Sequence, residues 1–213
     1  MGFSADVLKI DLAAEADRIA AEMRRIVSHE LKRRGVVVAL SGGIDSSCVA
    51  ALAAKALGPR AVHGLHMPER DSADDTLGLS RSVSDRFGFE STVEILTPVL
   101  EGLRCYERRD EAVRSVFPEF GPGWKWKIVL PGLLDGDAYN VYSVVVQTPS
   151  GEVMKQRLPP KAYLQIVAAT NFKQRTRKMF EYYYADKLHF GATGTPNRLE
   201  YDQGFFVKGG DGL

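Results

Sequence analysis

From residue 11 to residue 34 apolar side chains recur every three or four positions, at Leu12, Ala16, Ile19, Ala20, Met23 and Ile26, with charged residues between them. That period predicts an amphipathic helix, and Gly35 is placed to end it. The wholly apolar run Val36-Val37-Val38-Ala39-Leu40 follows and reads as a strand. Residues 46–57 are Ala-rich and helical in pattern, closed by Gly58-Pro59; residues 61–67 form a second short apolar strand, broken by Pro68. Residues 71–87 then read as a helix and residues 90–96 as a strand. Strands alternating with helices predict an α/β fold, a doubly wound parallel sheet of Rossmann-like type, whose ligands bind at the carboxyl ends of the strands.

The rhythm breaks between residues 117 and 160, where Pro and Gly interrupt the pattern. Two stretches, 142–147 and 152–157, flank Pro149-Ser150-Gly151 and predict a β-hairpin within a β-rich insertion. Trp124 and Trp126 fit insertion core or interface packing better than base stacking. Residues 162–188 return to a long helix starting near Pro159-Pro160, residues 189–193 read as a last core strand, and an irregular tail follows.

Composition narrows the function classes. A length of 213 residues fits one domain, 1–213, carrying the insertion at about 117–160. Lys and Arg number 28 against 27 Asp and Glu, a net charge of +1, so nothing global favours nucleic acid or an acidic membrane, and any anion site must be local. Cys48 and Cys105 have no metal-ligand spacing, and Cys48 reads as a small buried hydrophobe. No apolar run reaches signal-peptide form or the ~20 residues of a membrane span, which points to the cytoplasm.

The chemistry concentrates where the first strand ends. In Ser41-Gly42-Gly43-Ile44-Asp45-Ser46-Ser47 the glycines let the backbone approach an anion, and the hydroxyls lie at the positive end of the next helix. Asp45 would repel a phosphate directly, so its fitting use is to hold magnesium between itself and the phosphates. No Gly-Lys pair occurs anywhere, which disfavours phosphoryl transfer of the kinase or GTPase type. Ser-Gly-Gly-x-Asp-Ser is similar to the loop of the ATP pyrophosphatase superfamily, whose members cut ATP between the α and β phosphates and adenylate a substrate.

Two further stretches join it. Asn171-Phe172-Lys173-Gln174-Arg175-Thr176-Arg177-Lys178 would by itself be a solvated basic face, with Lys173 and Arg177 one turn apart. The run from Gly194 to Gly212 is polar and glycine-punctuated directly after a strand, as a functional loop should be. In order, the three resemble the NAD synthetase family, ATP-dependent amide ligases: the Ser41 loop, the Asn-x-Lys-x-Arg-x-Arg helix, and Gly-Thr, then Glu, then Gly-Phe-Phe-x-Lys-x-Gly-Asp-Gly.

The resemblance implies that Ala39, Leu40, Ser41, Gly42, Gly43, Ile44, Asp45, Ser46 and Thr195 contact ATP and that Asp45 and Glu200 hold Mg2+. It implies that Arg175 and Lys208 contact nicotinic acid adenine dinucleotide, with Asp45 and Lys208 the catalytic pair. In that family the acid attacks ATP and ammonia displaces AMP to give NAD, and members are homodimers. Only forty residues precede Ser41, too few for a glutaminase domain, so free ammonia or a separate glutaminase is the expected nitrogen source. The family continues past Gly-Asp-Gly, so its C-terminal part is expected to lie outside these residues. A ligase for a different carboxylate and a catalytically incomplete nucleotide-binding dimer module remain the alternatives. A GMP synthetase or tRNA-modifying relative would share the Ser41 loop without the other two stretches.

Overall fold

The computed structural model describes residues 9–130 and 142–212. Its chain divides into two compact units, one formed by Met1–Thr97 with Arg175–Leu213, the other by Pro98–Gln174.

The first unit is built on a four-stranded parallel sheet whose strands lie in the order Glu90–Val93 (β3), Val62–His66 (β2), Val36–Leu40 (β1) and Gly191–Ala192 (β7). β1 (Val36–Leu40) is central and almost wholly buried, as its uninterrupted apolar run requires of a parallel strand covered on both faces. β2 (Val62–His66) and β3 (Glu90–Val93) lie to one side. β7 (Gly191–Ala192) lies to the other, so the chain reverses its direction of winding beside β1. Val36, Val38, Leu40 and Val62 pack on one face against Ala50 and Ala53 of α2 (Ile44–Leu57), together with Val27 and Phe89. The other face of β2 carries His63, whose ring stacks on Tyr184 of α6 (Pro160–Leu188) at 5.3 Å. Helices therefore cover both faces, as the doubly wound reading expects.

Element ends depart from the sequence pattern for local reasons. The helix expected over 11–34 is α1 (Leu12–Arg25), started by Asp11, whose carboxylate accepts the N–H groups of Ala13 and Ala14. A single wider turn, Ile26–Glu30, follows, buries Val27, and ends in a left-handed Lys32 (φ 52°) that turns the chain into β1. The third helix, expected from 71, begins at Thr76 as α3 (Thr76–Phe87). Before it, Ser72 Oγ and the Glu69 carboxylate take the backbone N–H groups of Glu69 and Asp71, which holds those residues in turns. The strand expected over 90–96 is regular only to Val93: the Glu94 and Leu96 N–H groups still donate to the His66 and Pro68 carbonyls along the line of β2, but Pro68 has no N–H to return a bond. The last strand keeps only two of its five expected residues. Cys48 is exposed rather than buried, on the outer side of α2.

The second unit has its own core. α4 (Thr97–Gly102) leads into α5 (Cys105–Arg114), followed by an antiparallel sheet of β4 (Lys125–Val129), β5 (Ser143–Gln147) and β6 (Val153–Arg157) in that order. The expected hairpin is present as β5 and β6, joined at Thr148 and Gly151 (φ 93°). Val144 and Val146 point inward onto Val113, Phe117, Phe120 and Ile166, and Trp124 and Trp126 pack against that cluster, which matches their reading as insertion core. Cys105 is buried and donates to the Ala169 carbonyl at 3.2 Å. Residues 131–141 of the expected insertion lie outside the described residues. Among the described residues no helix is long and apolar enough to cross a membrane.

Candidate active site

The site starts where β1 ends. Gly42 turns the chain with φ 78°, and a Cβ there would come within 2.8 Å of the Leu79 Cβ and 3.2 Å of the Ser80 nitrogen. Glycine is thus required both by the left-handed angle and by the close approach of α3. Gly43 is the residue before the first turn of α2 and has no side chain to cap it, so the donors of that turn are not consumed by a capping oxygen. The serines brace the loop from within. Ser46, 4% exposed, donates to the Gly43 carbonyl at 3.2 Å and lies 3.1 Å from the Ser41 hydroxyl, which accepts the Gly43 N–H. Ser47 donates to the same carbonyl at 2.8 Å. Because these bonds fold Ile44 to Ser47 into the helix, α2 begins two residues before the expected position. Asp45 stands in this first turn with its side chain exposed, and Ile44 is also exposed.

A second loop leaves the neighbouring strand. Thr193 continues the line of β7 by donating its N–H and its hydroxyl to the Val37 carbonyl, at 3.1 and 3.0 Å. Gly194, Thr195 and Pro196 then lead to a short helix inside the expected irregular tail, α7 (Arg198–Gln203). Its start is a reciprocal cap: Asn197 Oδ1 accepts the Glu200 N–H at 3.1 Å, and Glu200 Oε2 accepts the Asn197 N–H at 2.8 Å. Thr195 and Glu200 therefore follow the carboxyl end of β7, and the Ser41 loop follows that of β1. The two strands are adjacent at the point where the winding reverses, the place where such sheets bind ligands.

The third stretch supports the second. The Arg175 guanidinium donates to the Lys208 carbonyl at 3.2 Å, so these two sequence-selected cations are brought together, both exposed. Asp211 holds the tail turn by accepting the N–H groups of Val207 and Gly212, while the Phe206 ring covers Gly212 so closely that a Cβ there would collide with it. The basic run on α6 is not a plain solvated face. Lys178 is 4% exposed and pairs with Glu181, also 4% exposed, at 2.7 Å; Lys173 lies over the Tyr106 ring in the second unit. The sequence reading singled out neither Glu181 nor the role of Lys178. Their only sequence signal is a Lys and a Glu one turn apart on the α6 face that also carries Tyr184 and Ala185.

His66, at the end of β2 and beside Leu40 in the sheet register, is a second buried group outside the sequence selection. His66 Nδ1 shares a hydrogen bond of 2.8 Å with Ser80 Oγ, which also lies 3.1 Å from the Leu77 carbonyl, and Nε2 has no hydrogen-bond partner among the described residues. Burial holds this histidine below its ordinary pKa, with Arg81 acting in the same direction and Asp85 opposing. Burial also pushes the Glu181 carboxyl upward, while Lys178 and Arg177 pull it down and Asp211 adds to the rise.

The family model for NAD synthase matches residues 15–114 and 139–213. The chain belongs to the NAD synthase family. It is 57% identical, over 99% of its residues, to the NH(3)-dependent NAD(+) synthetase of Rhizobium meliloti and 52% identical, over 98%, to that of Rhizobium rhizogenes. In each case the match spans 63% of the relative's length. The fold is similar to that of the NH3-dependent NAD synthetase from Campylobacter jejuni, with a TM-score of 0.63 at 19% identity over 95% of this chain and 64% of that one. The match to the family model leaves out residues 115–138, which include β4.

Proposed function

We propose that these residues form the ATP-handling core of an ammonia-dependent NAD synthetase, a ligase that makes a carbon–nitrogen bond. The carboxylate of nicotinic acid adenine dinucleotide attacks the α-phosphorus of ATP, the bond to the bridging β-phosphate oxygen breaks, and pyrophosphate leaves. Ammonia then adds to the acyl carbon of the adenylate, a proton is lost, and AMP departs to leave the amide of NAD. The observation that carries this reading is the uncapped first turn of α2 under the Gly42-Gly43 bend, in a chain so closely akin to NH(3)-dependent NAD(+) synthetases.

In this reading Ala39 to Ser46 and Thr195 seat ATP, with backbone donors fixed in advance for the charge that develops on the phosphates. Arg175 and Lys208 hold the dinucleotide acid. Asp45 and Glu200 offer hard oxygens to magnesium, and bound magnesium would neutralise charge on the phosphates and the leaving pyrophosphate. Among the described residues no three His, Cys, Asp or Glu side chains converge on one point. That suits an ion carried in on phosphate and completed by one or two carboxylates, and Glu200 commits only Oε2 to its helix cap. A homodimer belongs to the same reading and is supported by Met179, Tyr182 and Tyr183, which α6 leaves exposed. Nitrogen comes as free ammonia or from a separate glutaminase. The second reading, the same chemistry on another carboxylate, is favoured by residues 115–138, which the family model leaves unmatched.

The test is pyrophosphate release and NAD formation by the intact protein from ATP, magnesium and ammonia, with and without the dinucleotide acid. Release that depends on the acid is expected, and Asp45→Asn should cut it roughly a hundredfold with the circular dichroism spectrum unchanged. Unchanged release in that variant would remove Asp45 from the metal. Release driven only by a different acid would select the second reading.

A further inference from the structure

Lys178 and Glu181 form an ion pair at 2.7 Å in which each side chain is 5% exposed. Burying two charges costs desolvation that their attraction seldom returns, and two apolar side chains of similar volume would fill the space at equal or better stability. Stability alone therefore gives no reason for the pair. The third partner supplies one. Lys178 Nζ also donates to the Thr193 carbonyl at 3.1 Å.

Thr193 is held from two directions. Its N–H and hydroxyl are both spent on the Val37 carbonyl of β1, and its own carbonyl is taken by Lys178. In a trans peptide the carbonyl and the following N–H point in opposite directions, so capture of the Thr193 oxygen on the α6 side sends the Gly194 N–H away from it. β7 has only two residues, so the ladder stops registering the chain at Thr193. Gly194 has no side chain to restrict the next step. Thr195 comes directly after. Glu181 in turn holds the Lys178 ammonium at one point, which a four-carbon stem would not do by itself.

We propose that the Lys178–Glu181 pair is a positioning device for nucleotide binding: by fixing the Thr193–Gly194 peptide it aims Thr195 at ATP. The inference rests on the reading of Thr195 as an ATP contact. Neither residue of the pair touches the nucleotide. Its effect is carried through one backbone carbonyl.

The variants separate positioning from packing. Lys178→Met leaves a buried carboxylate unpaired and should lower the denaturation midpoint. The double variant Lys178→Met with Glu181→Leu removes both charges and should recover the wild-type midpoint. If the pair positions Thr195, the double variant still binds ATP about tenfold more weakly, as a raised KM for ATP with KM for the dinucleotide acid changed less. A double variant with wild-type midpoint and wild-type ATP affinity overturns the proposal. Should the double variant fail to fold, Glu181→Gln decides, since glutamine keeps an acceptor for Lys178 and so leaves the bond to Thr193. It is expected to hold ATP affinity within about twofold of wild type, while Lys178→Met does not, and the opposite order overturns the proposal. ATP affinity is read by direct titration, so it is independent of turnover: wild type that binds ATP but makes no NAD sinks only the substrate reading, and wild type that binds no ATP sinks both.

Discussion

Gly42 and Gly43 are neighbours in the same loop and face different demands. Gly42 sits at φ 78° with the α3 backbone and Leu79 against it, while Gly43 has ordinary extended angles and only the Ser41 hydroxyl, at 3.2 Å, near its absent Cβ. A left-handed angle costs an L-residue on the order of 1–2 kcal/mol, and displacing Leu79 and the Ser80 backbone adds to it. Gly42→Ala is therefore expected to lose about 2 kcal/mol or more of stability and to weaken ATP binding. Gly43→Ala should cost clearly less on both counts, because the Ser41 hydroxyl can move by a few tenths of an ångström. Urea midpoints and ATP titrations on the two variants check the contrast; equal losses would mean that the loop tolerates no Cβ at all and that the φ argument is wrong. The sequence marked both glycines alike, since the angle that separates them is set by α3, which is distant in the chain.

Strand β2 carries two histidines that face opposite sides, His63 toward Tyr184 and His66 toward Ser80. Burial lowers the pKa of both; Lys187 adds to the effect at His63 and Glu90 opposes it. A lowered folded-state value means that the unfolded chain takes up protons first as pH falls. The stabilising contribution is therefore complete above the ordinary value of about 6.5 and is lost as pH drops through the folded-state values. Glu181, pushed upward, acts in the other direction at acid pH, so the test is a comparison. His66→Gln keeps a donor for Ser80 and takes no proton, and its midpoint should fall less than that of wild type between about pH 7 and pH 5. Parallel curves would assign the acid limb to other groups.

At this scale legibility followed locality. β1, the loop and α2 could be read because an apolar run, two glycines and an Ala-rich helix are contiguous. β5 and β6 could be read from alternation around Pro149-Ser150-Gly151. α5 has no counterpart among the elements read from the pattern, because one of its inward positions is Arg109. Arg109 is 5% exposed, and its guanidinium pairs with Asp110 and lies over the rings of Tyr106 and Trp126, so a polar residue belongs to the core. α7 was hidden by its short length and by Gly194, Pro196 and Gly204 around it, although Asn197 and Glu200 carry the spacing of a reciprocal cap. Lys178 read as the last residue of the basic run 171–178 and Glu181 was not selected at all, because burial of a charge pair is set by packing that the local pattern does not show.

Across the whole molecule, every residue assigned to ATP or to magnesium falls in one of the two units. Ala39 to Ser46, Thr195 and Glu200 belong to the unit of the parallel sheet, and so do Arg175 and Lys208, while the core of the other unit is built from Val113, Phe117, Val144, Val146 and Ile166. A ligand stabilises the structure that binds it by RT ln(1 + [L]/Kd), about 2.7 kcal/mol at a hundred times Kd. Amides of β1 that exchange only when their unit opens should then slow by roughly a hundredfold. The prediction is that saturating magnesium-ATP gives this slowing in β1, β2 and α2, and a smaller one in β5, measured by hydrogen exchange at fixed pH with and without nucleotide. Equal slowing in both regions would mean that the two units open as one cooperative body, so that a site confined to one of them stabilises both. Slowing in β5 without slowing in β1 would place the nucleotide in the other unit and overturn the assignment of the Ser41 loop.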